Sequence, residues 1–449
     1  MLTDSQKTNI GLNYILSETL CFTPYGKDRV KNISFMNNKE EISRSFFNME
    51  ILLDAPDFVL EKIQSVLAHF KEIRGSINKI EAGVLNEIDF FELKTYLLTL
   101  ENLVMALQTI PPLSGVSFTS MTAALDILDP KKRRIYTFSI ENVFSDKLEL
   151  IRKEKAELNT LPQNEENLIA RGKIINLEDK EELRVMEDLT NKLRPFKPTF
   201  ESNNKSLAEL DFLLAKTNIV KKFGGTKPDI STNELSFMKM NNPYIEKSLN
   251  ESNKDFTRVS VSFSKGTAII TGANMGGKSV ALKTVLLNTL LCHYGFYVFA
   301  ESASVPIFDD VFYSNEDESS NFLSTFGAEV YKINEVIKSV KNSFTLSVFD
   351  EPAKSTNPTE GSIIVKALVK HFAEQKSFTI IATHYDNIIH PKARHYQVIG
   401  LTDHNLSNIC NLDDLKKSIN YNLTEVTPNT PVPKTAIKLC KLLGLELEL

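Results

Sequence analysis

Short β-rich runs alternate with helical runs beyond about residue 235, and this alternation constrains the fold of the 449-residue chain most strongly. Several of the β-rich runs are apolar on both faces, which is typical of a parallel sheet covered by helices. The alternation therefore predicts an α/β domain over residues 231–449. The predicted strands are "VSVSF", "TAIIT", "FTLSVF", "FTIIAT" and "YQVIGL".

Residues 1–230 show helical periodicity instead, and we predict an α-helical domain there. Apolar residues spaced three and four apart between 60 and 80 predict one long helix that ends at Gly83. A second stripe predicts another helix from Ile88 to Leu107, with Phe91 in the core. The strongly charged segment at about 135–200 is predicted to form solvated helices.

Composition limits the partners that the chain can bind. The net charge is −5, so binding to a polyanion would depend on a local basic patch. One dense basic run is present, "KKRR" at 131–134, which a solvated turn explains as well as a phosphate contact does. No apolar run is long enough for a membrane span and no basic leader precedes one, so we expect a cytoplasmic protein without a membrane partner. The four cysteines form no CxxC pair, which argues against a zinc site.

The loop "GANMGGKS" follows the strand "TAIIT" and opens a helical run, and it fits the pattern GxxxxGK[ST]. Backbone N–H groups in such a loop wrap a β-phosphate, which a lysine side chain supports and a serine hydroxyl links to Mg²⁺. We therefore predict ATP and Mg²⁺ as ligands, with Ser279 as a metal ligand. The predicted nucleotide-binding residues are Gly272, Ala273, Asn274, Met275, Gly276, Gly277, Lys278, Ser279 and Val280.

Two acids end the apolar run "LSVFDE", and a histidine follows another predicted strand in "FTIIATHYD". Beside a phosphate loop, Asp350 is predicted to hold Mg²⁺ and Glu351 to polarise the attacking water. His384 would sense the γ-phosphate or orient that water. With Lys278, the residues Glu351 and His384 form the predicted catalytic set, although adjacent acids also commonly start helices and a lone histidine is often structural.

Four motifs in this order resemble the ATPase domain of MutS-family proteins: "TGANMGGKS", "LSTFGAEV" at 323–330, "DEPAKSTNPTEG" at 350–361 and "ATHY" at 382–385. The runs "LAELDFLLA", "INYNL" and "KTAIKLCKLLGL" are similar to the family's lever helix, closing strand and last helix. The resemblance implies a helical lever or core domain, with a reduced clamp at about 135–200, followed by an ABC-like P-loop ATP hydrolase. It also implies a homodimer or a heterodimer with a related MutS-like subunit.

The resemblance further implies roles for single residues. Ser324 would approach the γ-phosphate across the dimer interface, with Thr325, Phe326 and Glu329 completing that segment. Phe256 lies near the position where the family stacks an aromatic ring on adenine. Lys354 stands where the family has an arginine, and Ala273 replaces its usual proline.

Departures from the family leave the function open. We expect neither a mismatch-reading domain before the lever nor a nuclease-like domain after the ATPase. The first hypothesis is a mismatch repair-like, DNA-associated ATPase that binds duplex or branched DNA without reading mismatches. The second is a reactivating factor for an adenosylcobalamin-dependent amino-acid aminomutase. The third is a nucleotide-binding regulatory subunit of a MutS-like heterodimer.

Overall fold

The structure is a computed structural model that describes residues 2–83, 85–272, 277–315, 325–385, 388, 390–400 and 420–426. In these ranges the α-helices, in chain order, are α1 (Asp4–Asn9), α2 (Leu12–Glu18), α3 (Pro24–Lys31), α4 (Lys39–Asp54), α5 (Asp57–Leu67), α6 (Arg74–Ala82), α7 (Glu87–Leu107), α8 (Thr122–Leu128), α9 (Asp146–Thr160), α10 (Glu165–Leu193), α11 (Lys197–Phe223), α12 (Pro243–Glu251), α13 (Lys278–His293), α14 (Thr325–Val340) and α15 (Pro358–Phe372). None of these helices is long and apolar enough to cross a membrane.

The β-strands follow α11, so the described chain is a helical part followed by a mixed α/β part, as predicted. In chain order they are β1 (Asp229–Ser231), β2 (Glu234–Met240), β3 (Val259–Ser264), β4 (Gly266–Thr271), β5 (Ser302–Pro306), β6 (Asp310–Ser314), β7 (Thr345–Asp350), β8 (Phe378–Ala382), β9 (Arg394–Gly400) and β10 (Asn420–Glu425).

The chain divides into two compact units. One contains the described residues of Met1–Glu18, Ser34–Phe46 and Asn218–Leu449, and therefore both sheets. The other contains Thr19–Ile33 and Phe47–Thr217, where the regular secondary structure of the described residues is helical. The predicted domain boundary at 230 stays a prediction.

The larger sheet has six strands in the order β10-β9-β4-β8-β7-β6. Every neighbouring pair from β9 to β6 is parallel, and β10 lies antiparallel to β9. Each residue of β4 and β8 is buried, as their continuous apolar sequence predicts. The carboxyl ends of β4, β8 and β7 therefore meet at one edge of the sheet.

A second sheet has four strands in the order β1-β5-β2-β3 and contains antiparallel pairs. The predicted strand "VSVSF" is β3 of this sheet, so its assignment to the parallel sheet was wrong. Its burial alternates along the strand, which fits an antiparallel strand with one exposed face.

The long helix predicted before Gly83 is two helices, α5 and α6, and the single-helix prediction was wrong. Phe70 and Ile73 lie between the two helices and are still buried, at 4% and 2% exposure. The apolar spacing continued through the break because the connecting segment faces the same core. Gly83 does end α6, with a left-handed φ of 76°.

The predicted second helix is α7, but its buried face differs from the predicted one. Phe91 is 39% exposed, so its assignment to the core was wrong, and Ile88 is exposed as well. Phe90 is fully buried in its place and packs against Phe138, with ring centroids 5.2 Å apart. The prediction therefore fails in the first turns of α7, whereas Leu97 and Leu100 of the predicted stripe are buried at 1% and 3% exposure.

Most of the charged segment at 135–200 folds into α9 and α10, a helical hairpin held by ion pairs. Arg152 contacts Glu178 at 2.9 Å and Glu182 at 2.7 Å. Lys155 also pairs with Glu178, and Lys147 pairs with Glu181 at 2.8 Å. Since Glu178 and Glu181 are buried, these bonds compensate carboxylates that would otherwise be costly to bury.

Candidate functional site

The glycine-rich loop joins β4 to α13, and the structure describes both of its ends. Gly272 and Gly277 have φ values of 143° and 80°, which favour glycine. A Cβ atom on Gly277 would also lie 2.8 Å from Cδ1 of Tyr421. The N-cap residue of α13 is Gly277, which makes no side-chain capping bond, and the start of a helix favours an anion.

Four of the predicted loop residues, Ala273, Asn274, Met275 and Gly276, lie outside the described residues. Lys278, Ser279 and Val280 form the first turn of α13. Their place directly after a left-handed glycine agrees with the predicted strand–loop–helix context.

Lys278 is buried at the start of α13. Its Nζ donates a hydrogen bond to the Gly272 carbonyl at 2.8 Å and lies 3.4 Å from Oε1 of Glu351. Burial lowers the pKa of the Lys278 ammonium, although attraction to Glu351 opposes that shift. The structure therefore places the predicted phosphate-binding lysine against the predicted catalytic acid.

Asp350 ends β7 and lies beside Ser279, the other predicted metal ligand. Burial raises the pKa of Asp350, and repulsion from Glu351 adds to the rise, whereas a hydrogen bond with Ser279 lowers it. Its Oδ1 is buried, and no donor among the described residues bonds to it. A buried carboxylate oxygen without a donor, next to a serine hydroxyl, suits a hard cation such as Mg²⁺.

Glu351 is surrounded by three cationic or titratable side chains. Its Oε2 lies 3.3 Å from Lys354 Nζ and 3.6 Å from His384 Nδ1, in addition to the Lys278 contact. Burial works to raise the pKa of Glu351, but Lys278 and Lys354 outweigh it, and the pKa falls below its usual value. Glu351 is therefore ionised near neutral pH.

His384 follows β8 and lies at the same sheet edge as Glu351. Its ring packs on Tyr385 with centroids 4.6 Å apart, and about a third of the side chain is exposed. Its Nδ1 is buried and makes no hydrogen bond within the described residues. The structure thus brings His384 near the acid, with Nδ1 facing Oε2 of Glu351 beyond hydrogen-bonding distance.

The remaining predicted residues are described less fully. Ser324 lies outside the described residues, and α14 begins at Thr325. Phe256 lies in the segment that connects α12 to β3 and is partly buried, and its role in stacking stays a prediction.

The motif pattern gave no reason to single out Tyr421, which packs over Gly277, or Tyr385, which bonds to the backbone after Glu351. The sequence signal for Tyr385 is its position next to His384 in "ATHY". Tyr421 lies in "INYNL", which resembles the family's closing strand, and the sequence predicted no contact between this strand and the loop.

Comparison with known proteins identifies the family. The family model described as MutS domain V matches residues 268–430. Endonuclease MutS2 of Finegoldia magna is 27% identical over 287 residues, which cover 61% of this chain and 34% of that protein. Endonuclease MutS2 of Caldicellulosiruptor saccharolyticus is 32% identical over 223 residues, or 48% of this chain and 27% of that protein.

A DNA mismatch repair protein MutS, from Bacteroides thetaiotaomicron, is 32% identical over 266 residues, which cover 56% of this chain and 31% of that protein. The chain thus spans about a third of the length of the curated relatives it matches. Because the matched range includes the loop, both acids and His384, residues 268–430 belong to the MutS family as its domain V.

Proposed function

We propose that the chain binds Mg·ATP between Gly272 and Val280 and hydrolyses it. The observation that carries the proposal is the cluster of Lys278, Ser279, Asp350 and Glu351 where β7 ends and α13 begins. A triphosphate would supply the negative charge that α13 and Lys278 attract. Mg²⁺, held by Ser279 and Asp350, would neutralise charge on the β- and γ-phosphate oxygens.

In the proposed reaction, the Lys278 ammonium gives up its contacts with the Gly272 carbonyl and Glu351 and binds phosphate oxygens instead. Glu351 accepts a hydrogen bond from the attacking water and orients it in line with the γ-phosphate. A bond forms between the water oxygen and γ-phosphorus, the bond to the β–γ bridging oxygen breaks, and the water proton passes to Glu351, leaving ADP and phosphate. His384, within 3.6 Å of Glu351, is placed to bond to the water or to the γ-phosphate.

The test is Glu351→Gln, which keeps the size of the side chain and removes its charge. We expect Mg·ATP binding to be retained and turnover to fall by about 100-fold or more, as expected for loss of a general base. Glu374→Gln is the matched control, because Glu374 is an exposed acid paired with Lys392 on the surface. Unchanged hydrolysis by Glu351→Gln would show that the base is misassigned.

We further propose that hydrolysis works through a dimer, in which Ser324 of one subunit approaches the γ-phosphate bound by the other. Whether the partner is a second copy or a related subunit follows from the mass of the ATP-bound assembly. In the Glu351→Gln variant, light scattering should detect a dimer that forms with Mg·ATP and dissociates with ADP. A monomer under both conditions would contradict the homodimer and leave only a dimer with a related subunit.

For the output of this ATPase, we propose association with DNA, supported by the relatives named as a mismatch repair protein and endonucleases. The run "KKRR" is poorly suited to be the contact, because each cation pairs with an acid. Lys131 and Arg133 pair with Glu141, and Lys132 and Arg134 pair with Asp126. Phosphate contacts would therefore have to come from other cations.

A second candidate is a motor that acts on a protein, such as a cobalamin-dependent aminomutase, and the α9–α10 hairpin favours this class. Residues 146–193 contain 12 Asp and Glu against 9 Lys and Arg, a net charge of −3. Leu161, Leu168 and Ile169, around the connection of the two helices, are exposed. An acidic surface with exposed aliphatic side chains suits a protein better than DNA phosphates.

Fluorescence anisotropy at low salt with plain, mismatched and branched duplexes, in ATP and in ADP, separates the two candidates. DNA association predicts binding that weakens steeply as salt rises, because phosphate contacts release counterions. A flat titration at low salt in both nucleotides would exclude the DNA proposal and leave the protein-directed candidate.

A further inference from the structure

The turn that follows β7 holds two residues in an unusual backbone conformation. Glu351 and Ala353 have φ values of 54° and 60°. Residues with a Cβ atom rarely adopt this left-handed region, and such a conformation persists where surrounding contacts hold it. Since Glu351 is one of the two residues, those contacts bear on the direction of its carboxylate.

Side chains from two other segments hold the peptide groups of Ala353. Its N–H donates to Oε1 of Glu329, on α14, at 2.6 Å. Its carbonyl accepts a hydrogen bond from the Tyr385 hydroxyl, beyond β8, at 3.0 Å. The Ser355 hydroxyl donates to the other carboxylate oxygen of Glu329 at 3.4 Å, so both oxygens of this carboxylate face the turn.

The turn is also enclosed on its remaining sides. Ala353 is 1% exposed, and the Glu351 N–H donates to the Ala382 carbonyl at 2.9 Å. Gly361 on α15 lies against the Tyr385 hydroxyl, and a Cβ at this glycine would overlap that hydroxyl. The close approach of α15 therefore leaves the Tyr385 hydroxyl little room to leave Ala353.

We infer that Glu329 and Tyr385 are positioning residues for hydrolysis, which act by fixing the backbone at Ala353 and thereby the carboxylate of Glu351. The inference rests on the proposed function, in which Glu351 orients the attacking water. It gives Glu329, in the segment "LSTFGAEV", a role within its own subunit in addition to any role at an interface. A movement of α14 would in this way alter the position of Glu351 through the carboxylate of Glu329.

The test compares Tyr385→Phe, Glu329→Ala and Glu329→Gln in two assays. Single-turnover experiments with the protein in excess measure the rate of ATP hydrolysis, and calorimetric titration in the same buffer measures the dissociation constant for Mg·ATP. Tyr385→Phe and Glu329→Ala should lower the hydrolysis rate about tenfold to 100-fold, since small misplacements of catalytic groups have effects of that size. The dissociation constant for Mg·ATP should change less than about twofold, because neither residue contacts the nucleotide in the proposed complex and ground-state binding is retained.

Glu329→Gln should retain most of the rate, because its amide oxygen still accepts from the Ala353 N–H. Tyr313→Phe is the matched control, since Tyr313 is a buried tyrosine on β6 of the same sheet. It should leave the rate unchanged. A purely structural role would lower nucleotide affinity and hydrolysis together, and that result would overturn the inference.

The Glu351→Gln variant, measured in parallel, separates this inference from the proposed function. If Glu351→Gln is inactive while Tyr385→Phe and Glu329→Ala hydrolyse ATP at the normal rate, the positioning role is refuted and the proposed function stands. If Glu351→Gln hydrolyses ATP normally, the proposed function fails first.

Discussion

Replacing Asp350 by Asn should stabilise the nucleotide-free protein and weaken its response to Mg·ATP. Burial and the neighbouring Glu351 both disfavour the charge on Asp350, and its Oδ1 has no donor among the described residues. An unsatisfied buried polar atom costs about 1–3 kcal/mol, and more if it is charged. Because asparagine removes the charge but keeps one oxygen, we expect a gain of about 1 kcal/mol, at the lower end of that range.

The gain should depend on pH with a defined sign. The folded protein raises the pKa of Asp350, so this residue destabilises the wild type increasingly as the pH rises from the ordinary pKa of an aspartate to the folded-state pKa, and by a constant amount above it. Below the ordinary pKa of an aspartate the carboxyl is neutral in both states. The difference in stability between wild type and Asp350→Asn should therefore be largest near neutral pH and should shrink in acid.

Thermal unfolding followed by intrinsic fluorescence, with and without Mg·ATP, measures both effects. At a ligand concentration of about 100 times Kd, binding stabilises a protein by about 2.7 kcal/mol, and Asp350→Asn should lose most of that gain. Asp309→Asn is the matched control, because Asp309 is exposed at the opposite sheet edge and an amide oxygen can still accept from Phe344 N–H. If Asp350→Asn lowers stability without nucleotide, or keeps the full response to Mg·ATP, the assigned metal-binding role is wrong.

Two further variants test other parts of the site. Gly277→Ala should weaken Mg·ATP binding about tenfold or more in a calorimetric titration, because a left-handed alanine costs about 1–2 kcal/mol and its Cβ would meet Tyr421; unchanged affinity would contradict the described loop geometry. Lys354→Met should raise the pKa of Glu351, because Lys354 helps to hold that pKa down, and the acid limb of the pH–rate profile should move to higher pH. An unmoved acid limb would show that Lys354 does not act on Glu351 during turnover.

The periodicity of apolar residues predicted which segments are buried better than it predicted the secondary structure of those segments. Phe70 and Ile73 kept the spacing of a helix although they lie outside α5 and α6, because spacing records which side chains face the core. Strand "VSVSF" was recognised, but its sheet was not, because its partner β2 is chosen by tertiary packing. Phe90 and Phe91 are equally apolar, and only the packing of α7 decides which one is buried.

The residues of the candidate site can be predicted where they stand in a local sequence pattern. Contacts between distant segments cannot be predicted in this way, because they depend on folding. Lys278, Asp350 and Glu351 are recognisable because a loop before a helix and acids after a strand are local patterns. The pairing of all four cations of "KKRR" with acids could not be read from the run itself, since Asp126 and Glu141 come from either side of it. The bond from Glu329 to Ala353 joins residues 24 positions apart through a left-handed turn that no local pattern records.

The charges at the sheet edge connect nucleotide binding to activation of Glu351 under the proposed function. Without nucleotide, Lys278 and Lys354 hold the pKa of Glu351 down, which makes its carboxylate a weak base. When Lys278 turns to the phosphates, Glu351 loses its strongest opposing charge and gains Mg·ATP, which is a net anion, as a neighbour, and both changes raise its pKa. Glu351 would thus become a better proton acceptor only after ATP is bound, which keeps its base strength low until a substrate is present.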